Sequence, residues 1–221
     1  MWWIPSTIGA VGAVIKVLIA DESNKYFFSN AFTPLEKNFL RLERILGEDN
    51  KGAIAFLGQP GSGKSALLNE VTNEKCEPRP QVGQCTDTTD WSISNVTFFC
   101  NYFNMKFIDT PGYDTLKHPV ESYIQYFPFN KMQKVIFMVK GKLHQSDEQI
   151  YNKLVDFYGD QAYQKILIVR SFSDDISEKE SDEILSDLNS KLRYEVHNIK
   201  VVLVSSRYGQ GIKEVQDFVG I

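Results

Sequence analysis

Residues 53–65, Ala53-Ile54-Ala55-Phe56-Leu57-Gly58-Gln59-Pro60-Gly61-Ser62-Gly63-Lys64-Ser65, decide the fold. An apolar run of one strand's length passes into G-x-x-x-x-G-K-S, and the segment Lys64 to Asn73 carries Ala66, Leu67, Leu68 and Val71 at helical spacing. Strand, glycine loop and helix in that order make a phosphate-binding loop. Glycines at 58, 61 and 63 permit backbone conformations closed to other residues, so successive N–H groups can turn inward around phosphates. The N-terminal dipole of the following helix faces the same anion. Gly58, Gln59, Pro60, Gly61, Ser62, Gly63, Lys64, Ser65 and Ala66 are therefore candidate contacts to a bound nucleotide. Lys64 is the candidate catalytic cation at the β- and γ-phosphates, and the Ser65 hydroxyl is a candidate Mg²⁺ ligand. The competing reading, a glycine turn capped by Ser65, does not account for a strand and a helix at the right ends.

Composition agrees with this and sets bounds. A chain of 221 residues with 43% hydrophobic content can bury one sizeable core with a short appendage. A net charge of −4 argues against nucleic acid as the main partner, which would call for a basic face. Cys76, Cys85 and Cys100 are an odd number without C-x-x-C spacing, so neither a disulfide framework nor a zinc site is expected, and a reducing, cytosolic setting follows.

Upstream of the loop the chain divides into two pieces. Residues 1–20 read as an apolar helix interrupted only by Ser6, Thr7 and Lys16. The run Trp2 to Ala20 approaches the ~20 residues that span a hydrocarbon layer. Trp2 and Trp3 suit one interface and Asp21-Glu22 the other, so a membrane anchor and a helix docked on protein are both open. Residues 21–50 read as a linker holding one amphipathic helix, started by Thr33-Pro34 and stopped by Gly47, with Leu35, Phe39, Leu42, Ile45 and Leu46 on one face. From 51 to 221, apolar runs at 53–57, 97–99, 106–108, 134–139, 166–169 and 201–204 alternate with helical stretches at 65–73, 145–158, 179–192 and 211–219. Such alternation specifies an α/β fold: a three-layer α/β/α domain around a mostly parallel six-stranded sheet. Residues 91–108 leave no room for a crossover helix and predict an antiparallel hairpin at the sheet edge.

A second phosphate motif, Asp109-Thr110-Pro111-Gly112, follows the strand at 106–108. At the carboxyl end of a strand beside the loop strand, Asp109 can hold Mg²⁺ through a water and the Gly112 N–H can meet a γ-phosphate. These two motifs, in this order and spacing, resemble those of the P-loop GTPases of the translation-factor-like class. The Gly61-Ser62-Gly63-Lys64-Ser65 wording, the D-T-P-G turn and the Val169-Arg170-Ser171 lead are most similar to the immunity-related, septin-like and Era-like GTPases.

The resemblance implies further positions. A threonine that closes on Mg²⁺ and the γ-phosphate should lie within residues 83–89, where Thr86, Thr88 and Thr89 are candidates and Thr88 is favoured as metal ligand and catalytic residue. The guanine-reading motif, normally Asn or Thr, Lys, any residue, Asp, should follow the strand at 166–169. Ser171-Phe172-Ser173-Asp174 stands there: Asp174 fits the residue that accepts from the base, while Ser171 and Phe172 depart from the pattern. Phe172 could cover the base by stacking, as the aliphatic stem of the lysine does in the family. Ser205 and Ser206 sit where the family sets a backbone N–H against the base oxygen. The family further implies GTP and GDP as ligands, Mg²⁺ as cofactor, work at membranes, and pairing of two copies through their nucleotide faces.

Where many GTPases place a water-orienting glutamine, this chain has Tyr113, so slow intrinsic hydrolysis is expected. Gly61 stands where potassium-activated relatives carry asparagine, so no potassium ion is expected. Arg79 is a candidate for help between copies, and His118 and His144 read as surface residues. Three functions stay open: a hydrolysing GTP switch or membrane scaffold, a nucleotide-binding module with negligible hydrolysis, and an ATPase of the same superfamily.

Overall fold

A computed structural model describes residues 32–48, 52–83, 89–174 and 176–221. The apolar segment 2–20, Cys85, Thr86 and Thr88 lie outside the described residues. The chain enters through α1 (Pro34–Glu48), whose start is fixed by a reciprocal cap. The Thr33 N–H donates to Glu36 Oε2 at 2.8 Å, and the Glu36 N–H to Thr33 Oγ1 at 3.3 Å. Then follow β1 (Ala53–Gly58), α2 (Lys64–Val71), β2 (Cys100–Tyr102), β3 (Met105–Asp109), α3 (Val120–Tyr126) and β4 (Met132–Val139). The chain closes with α4 (Gln145–Tyr158), β5 (Ile166–Arg170), α5 (Glu178–Leu192), β6 (Lys200–Leu203) and α6 (Ile212–Val219).

The six strands make one sheet in the order β2-β3-β1-β4-β5-β6, parallel except for the edge pair β2–β3. Both faces are covered, which is why β1 reads as an unbroken apolar run and is buried at all six positions. Ala53, Ala55 and Leu57 face the layer holding α1, α3, α4 and α5. Ile54 and Phe56 face α2 and α6. The register sets Phe56 opposite Asp109 and Val139 opposite Arg170, so the strand ends that carry the motifs emerge side by side.

Helix α1 belongs to this core. Leu35, Phe39, Leu42 and Leu46 are buried, and the Phe39 ring packs edge-on against Trp91, Tyr123 and Phe127 at centroid distances of 5.9, 4.9 and 5.4 Å. The Asn38 amide donates to the carbonyls of Trp91 and Ile93, both at 2.8 Å, and the Ser122 hydroxyl to Glu36 Oε1 at 3.0 Å. Truncating one such aromatic or leucine should cost ~2–5 kcal/mol.

Three sequence expectations need correction. The run at 97–99 is not the edge strand. Phe98 and the preceding Val96 are spent on the core, Phe98 against Trp91 at 5.0 Å, and the two-residue turn at Phe103-Asn104 pairs Tyr102 with Met105, which moves the ladder to 100–102. Helix α3 was not anticipated, because it is only seven residues long and opens at Val120 directly after Pro119. Cys76 and Cys100 form a disulfide with Cα atoms 5.5 Å apart. The odd cysteine count concealed it: the isolated bridge between Glu77 and Asn101 sets the neighbouring cysteines side by side, and the argument for a reducing compartment loses its ground. Among the described residues no helix is long and apolar enough to cross a membrane.

Candidate active site

The loop from β1 to α2 wraps the base of a cavity of about 280 Å³, lined by Pro60, Gly61, Gly63, Lys64, Ser65 and Ala66 from the loop, together with Thr89, Thr110, Gly112 and Phe172. Gly61 and Gly63 hold φ of 70° and 88°, the left-handed region the glycine spacing anticipates. Gly58 has no room for a side chain: a Cβ there would lie 2.5 Å from the Met138 carbonyl.

Lys64 is buried, and its ammonium donates to the carbonyls of Gly58 and Gln59 at 3.0 and 2.9 Å. Burial lowers its pKa to about 8, against the opposing pull of Asp109. Ser65 Oγ donates to Asp109 Oδ2 at 2.6 Å, and Thr89 Oγ1 donates to the same oxygen at 3.2 Å. The other carboxylate oxygen, Asp109 Oδ1, is buried and has no partner. Burial raises the Asp109 pKa, although bonds from Ser65 and Thr89 and the charge of Lys64 oppose it. Two hydroxyls and a carboxylate with a spare oxygen are a hard, oxygen-only donor set of the kind Mg²⁺ takes. Thr89, the alternative to Thr88, is thus directed at Asp109; Thr88 is outside the described residues.

The turn after β3 is clamped onto the loop. Thr110 Oγ1 donates to the Phe56 carbonyl at 2.7 Å, and a Cβ on Gly112 would fall 2.3 Å from the Pro60 nitrogen. After β5, Ser171 is buried against β4, its N–H and hydroxyl donating to the Val139 carbonyl at 3.1 and 3.2 Å. Ser205 Oγ donates to Asp174 Oδ1 and accepts from the Tyr208 N–H at 3.1 Å, which brings two of the sequence-nominated base residues together. Ser206 lies beside them, partly exposed, in the turn after Ser205. Phe172 is half-exposed with φ of 56° and lines the cavity.

Several residues lie elsewhere than the sequence implied. Gln59 turns away from the cavity: its amide donates to Ser146 Oγ at 3.0 Å and to Asp147 Oδ2 at 3.4 Å. Tyr113 is fully buried, and its hydroxyl donates to Asp147 Oδ1 at 2.7 Å. Burial first, then the Asp147 charge, raises the Tyr113 pKa, and burial likewise raises that of Asp147. Arg79 pairs with Glu74 at 2.5 Å. His144 is exposed at the start of α4, but His118 is completely buried, a correction to its reading as a surface residue. Its Nε2 accepts from the Trp91 N–H at 3.1 Å and lies 3.2 Å from Asp90 Oδ1, and Thr115 Oγ1 is 3.4 Å from its Nδ1. Lys117 pairs with Asp90 at 2.9 Å. Although burial pushes it up, bonds from Ser92 and Lys117 hold the Asp90 carboxyl well below the usual range. His118 therefore ties the segment after Thr89 to the segment after Gly112. A histidine's spacing in sequence gives no hint of such a role, because its partners lie on another loop.

Comparison with known proteins agrees with this geometry. The profile of a family described as "50S ribosome-binding GTPase" matches residues 53–204. The chain is 30% identical over 168 residues to the tRNA modification GTPase MnmE of Flavobacterium johnsoniae, covering 74% of this chain and 34% of that protein. It is 25% identical over 181 residues to a probable GTP-binding protein EngB of Coxiella burnetii, covering 77% and 83% respectively. A solved structure of an Aquifex aeolicus Era variant bound to GDP and aluminium fluoride shares the fold, with TM-score 0.55 and 21% identity over 76% of this chain and 55% of that one. The chain spans about a third of the length of the MnmE and Der relatives it matches.

Proposed function

The chain belongs to the 50S ribosome-binding GTPase family, and from that premise we propose that it binds GTP and GDP and hydrolyses GTP slowly, with Mg²⁺, as a molecular switch. The observation that carries this reading is the convergence of Ser65, Thr89 and Asp109 at the loop mouth, with Asp109 Oδ1 left buried and unpaired. Bound Mg²⁺ would neutralise charge developing on the phosphates. Lys64, already desolvated, would exchange its two carbonyl partners for phosphate oxygens. Gly112 would offer its N–H to the γ-phosphate, while Asp174, with Ser205 behind it, would accept from a guanine base. Thr88 remains a candidate for the same closing role as Thr89.

Slow turnover is supported by Tyr113, whose hydroxyl is committed to Asp147 and is not free to orient water. The same observation favours a second reading, in which binding alone recruits a partner and turnover is negligible. A membrane tether at residues 2–20 and pairing of two copies through the nucleotide face belong to the same proposal and rest on the apolar N-terminal segment and the family resemblance. Calorimetric titration with GTP, GDP and ATP, with and without Mg²⁺, tests the core of it. GTP and GDP should bind, Lys64→Ala should abolish binding, and Asp174→Ala should erase preference over ATP; equal affinity of the wild type for ATP would overturn the guanine assignment. Phosphate release measured over a range of protein concentrations separates the two readings: turnover rising with concentration supports paired copies, and flat, negligible turnover supports the binding module. Loss of the full chain from detergent-free solution, but not of a chain starting at Ser23, would support the tether.

A further inference from the structure

Lys140 was singled out by nothing in the sequence, yet it occupies a decisive place. It follows β4 as Phe172 follows β5, and these strands are neighbours in register, with Val139 opposite Arg170. The Lys140 ammonium lies over the Phe172 ring, 4.8 Å from its centroid. It also lies 3.8 Å from the position a Cβ on Gly61 would take. The Phe172 ring edge in turn approaches the Gly63 position to 3.7 Å. Among the described residues no carboxylate pairs with Lys140, although Asp147 lines the same small cavity beside the loop. An exposed lysine usually points to water; this one lies over an aromatic face beside Gly61 of the phosphate loop, and the same ring reaches the Gly63 position.

Resting on the nucleotide-binding reading above, we infer that Lys140 and Phe172 form one composite subsite. Phe172 is the platform on which the base stacks, using the ring face the ammonium leaves open, and Lys140 brings a second positive charge, beside Lys64, to the phosphates at Gly61. Two residues from adjacent strand ends thereby do what a single lysine, with its stem on the base, does in the usual base motif. Three features fit this assignment. Ser171, in place of a longer polar residue, is buried and bonded to the Val139 carbonyl, which fixes the separation of the two strand ends. The left-handed backbone at Phe172 turns the ring back toward the loop. The Lys140 ammonium stands at contact distance, 3.8 Å, from the Gly61 Cβ position, which sets its charge beside the loop backbone.

The test is calorimetric titration of the full chain with GDP and, separately, with guanosine, for the wild type, Lys140→Met, Lys140→Arg, Phe172→Leu and the Met/Leu double variant. Lys140→Met should weaken GDP about tenfold and guanosine less than about twofold, because the charge acts on phosphate. Lys140→Arg should stay within about threefold of wild type, and Phe172→Leu should weaken both ligands about tenfold or more. The double variant should lose less than the product of the single losses, since Phe172 holds Lys140 in place. Circular dichroism and urea midpoints of the variants check that each is folded. Unchanged GDP affinity in Lys140→Met, equal losses for GDP and guanosine, or strictly multiplicative losses would overturn the inference while leaving nucleotide binding intact. Failure of the wild type to bind GDP at all would instead overturn the functional reading on which it rests.

Discussion

Replacing Tyr113 with Phe removes one oxygen and nothing else, from a site where the cost can be worked out. The hydroxyl is fully buried and donates at 2.7 Å to a carboxylate that is itself buried, Asp147. A hydrogen bond to a charged group contributes ~1.5–3 kcal/mol, and its removal leaves Asp147 Oδ1 without its phenol donor. For a chain of 221 residues that loss should lower the melting temperature by roughly 3–12 °C. Its pH dependence has a definite sign. The folded-state pKa of Asp147 is raised by burial, so the native protein binds its proton more readily than the unfolded chain and loses stability as pH rises through the folded value. The phenol favours the ionised carboxylate; without it the folded pKa climbs further, and the deficit is larger at pH 7 than at pH 5. Urea unfolding at both pH values, for Tyr113→Phe, Asp147→Asn and the double variant, measures the coupling. GTP turnover per folded molecule should stay within about twofold of wild type, because the phenol supports the turn after Gly112 and does not touch phosphate. A stability loss below ~0.5 kcal/mol, or a tenfold fall in turnover with stability intact, refutes this account.

The remaining predictions concern the loop and its neighbours. Since burial lowers the Lys64 pKa to about 8 and a bound phosphate favours the ammonium, GDP binding above pH 8 should take up a proton. Affinity should then fall by up to about tenfold per pH unit, and calorimetry in buffers of different ionisation heat would show the uptake; binding independent of pH from 7.5 to 9.5 contradicts it. Gly112→Ala places a methyl group 2.3 Å from the Pro60 nitrogen, so the turn must leave the loop, and GTP should weaken more than GDP in direct titration. His118→Ala strands the buried Trp91 N–H and should cost ~1–3 kcal/mol in urea unfolding.

What could be read in the sequence was whatever is carried by neighbours along the chain. The glycine loop, the Asp109 turn and the alternating strands declare themselves because a phosphate cradle and a two-face-buried strand are local patterns. Asp174 and Ser205 could be nominated separately, but only the fold shows one bonding the other. The sequence favoured Thr88, yet it is Thr89 that the described structure directs at Asp109, because a ligand's direction depends on the backbone course of a polar loop. The Cys76–Cys100 bridge, the His118 tie and the Lys140–Phe172 stack were illegible for a single reason: each joins residues on segments far apart in sequence whose meeting point is set by the sheet order. The strand expected at 97–99 failed differently, since apolar residues serve a core or a ladder equally well and only the Phe103-Asn104 turn fixes which.

The rings that bind α1 to Tyr123 and Phe127 give the molecule a mechanical linkage. Tyr123 also donates to the Pro111 carbonyl at 2.6 Å, inside the turn that follows Asp109. A displacement of that turn must either pull α1 along or part a close-packed aromatic stack, and Asn38 and Glu36 add polar ties to the same lever. The helix ahead of the sheet thus works as a brace: shift of the turn after Asp109 and shift of α1 cannot occur independently without breaking buried aromatic contact.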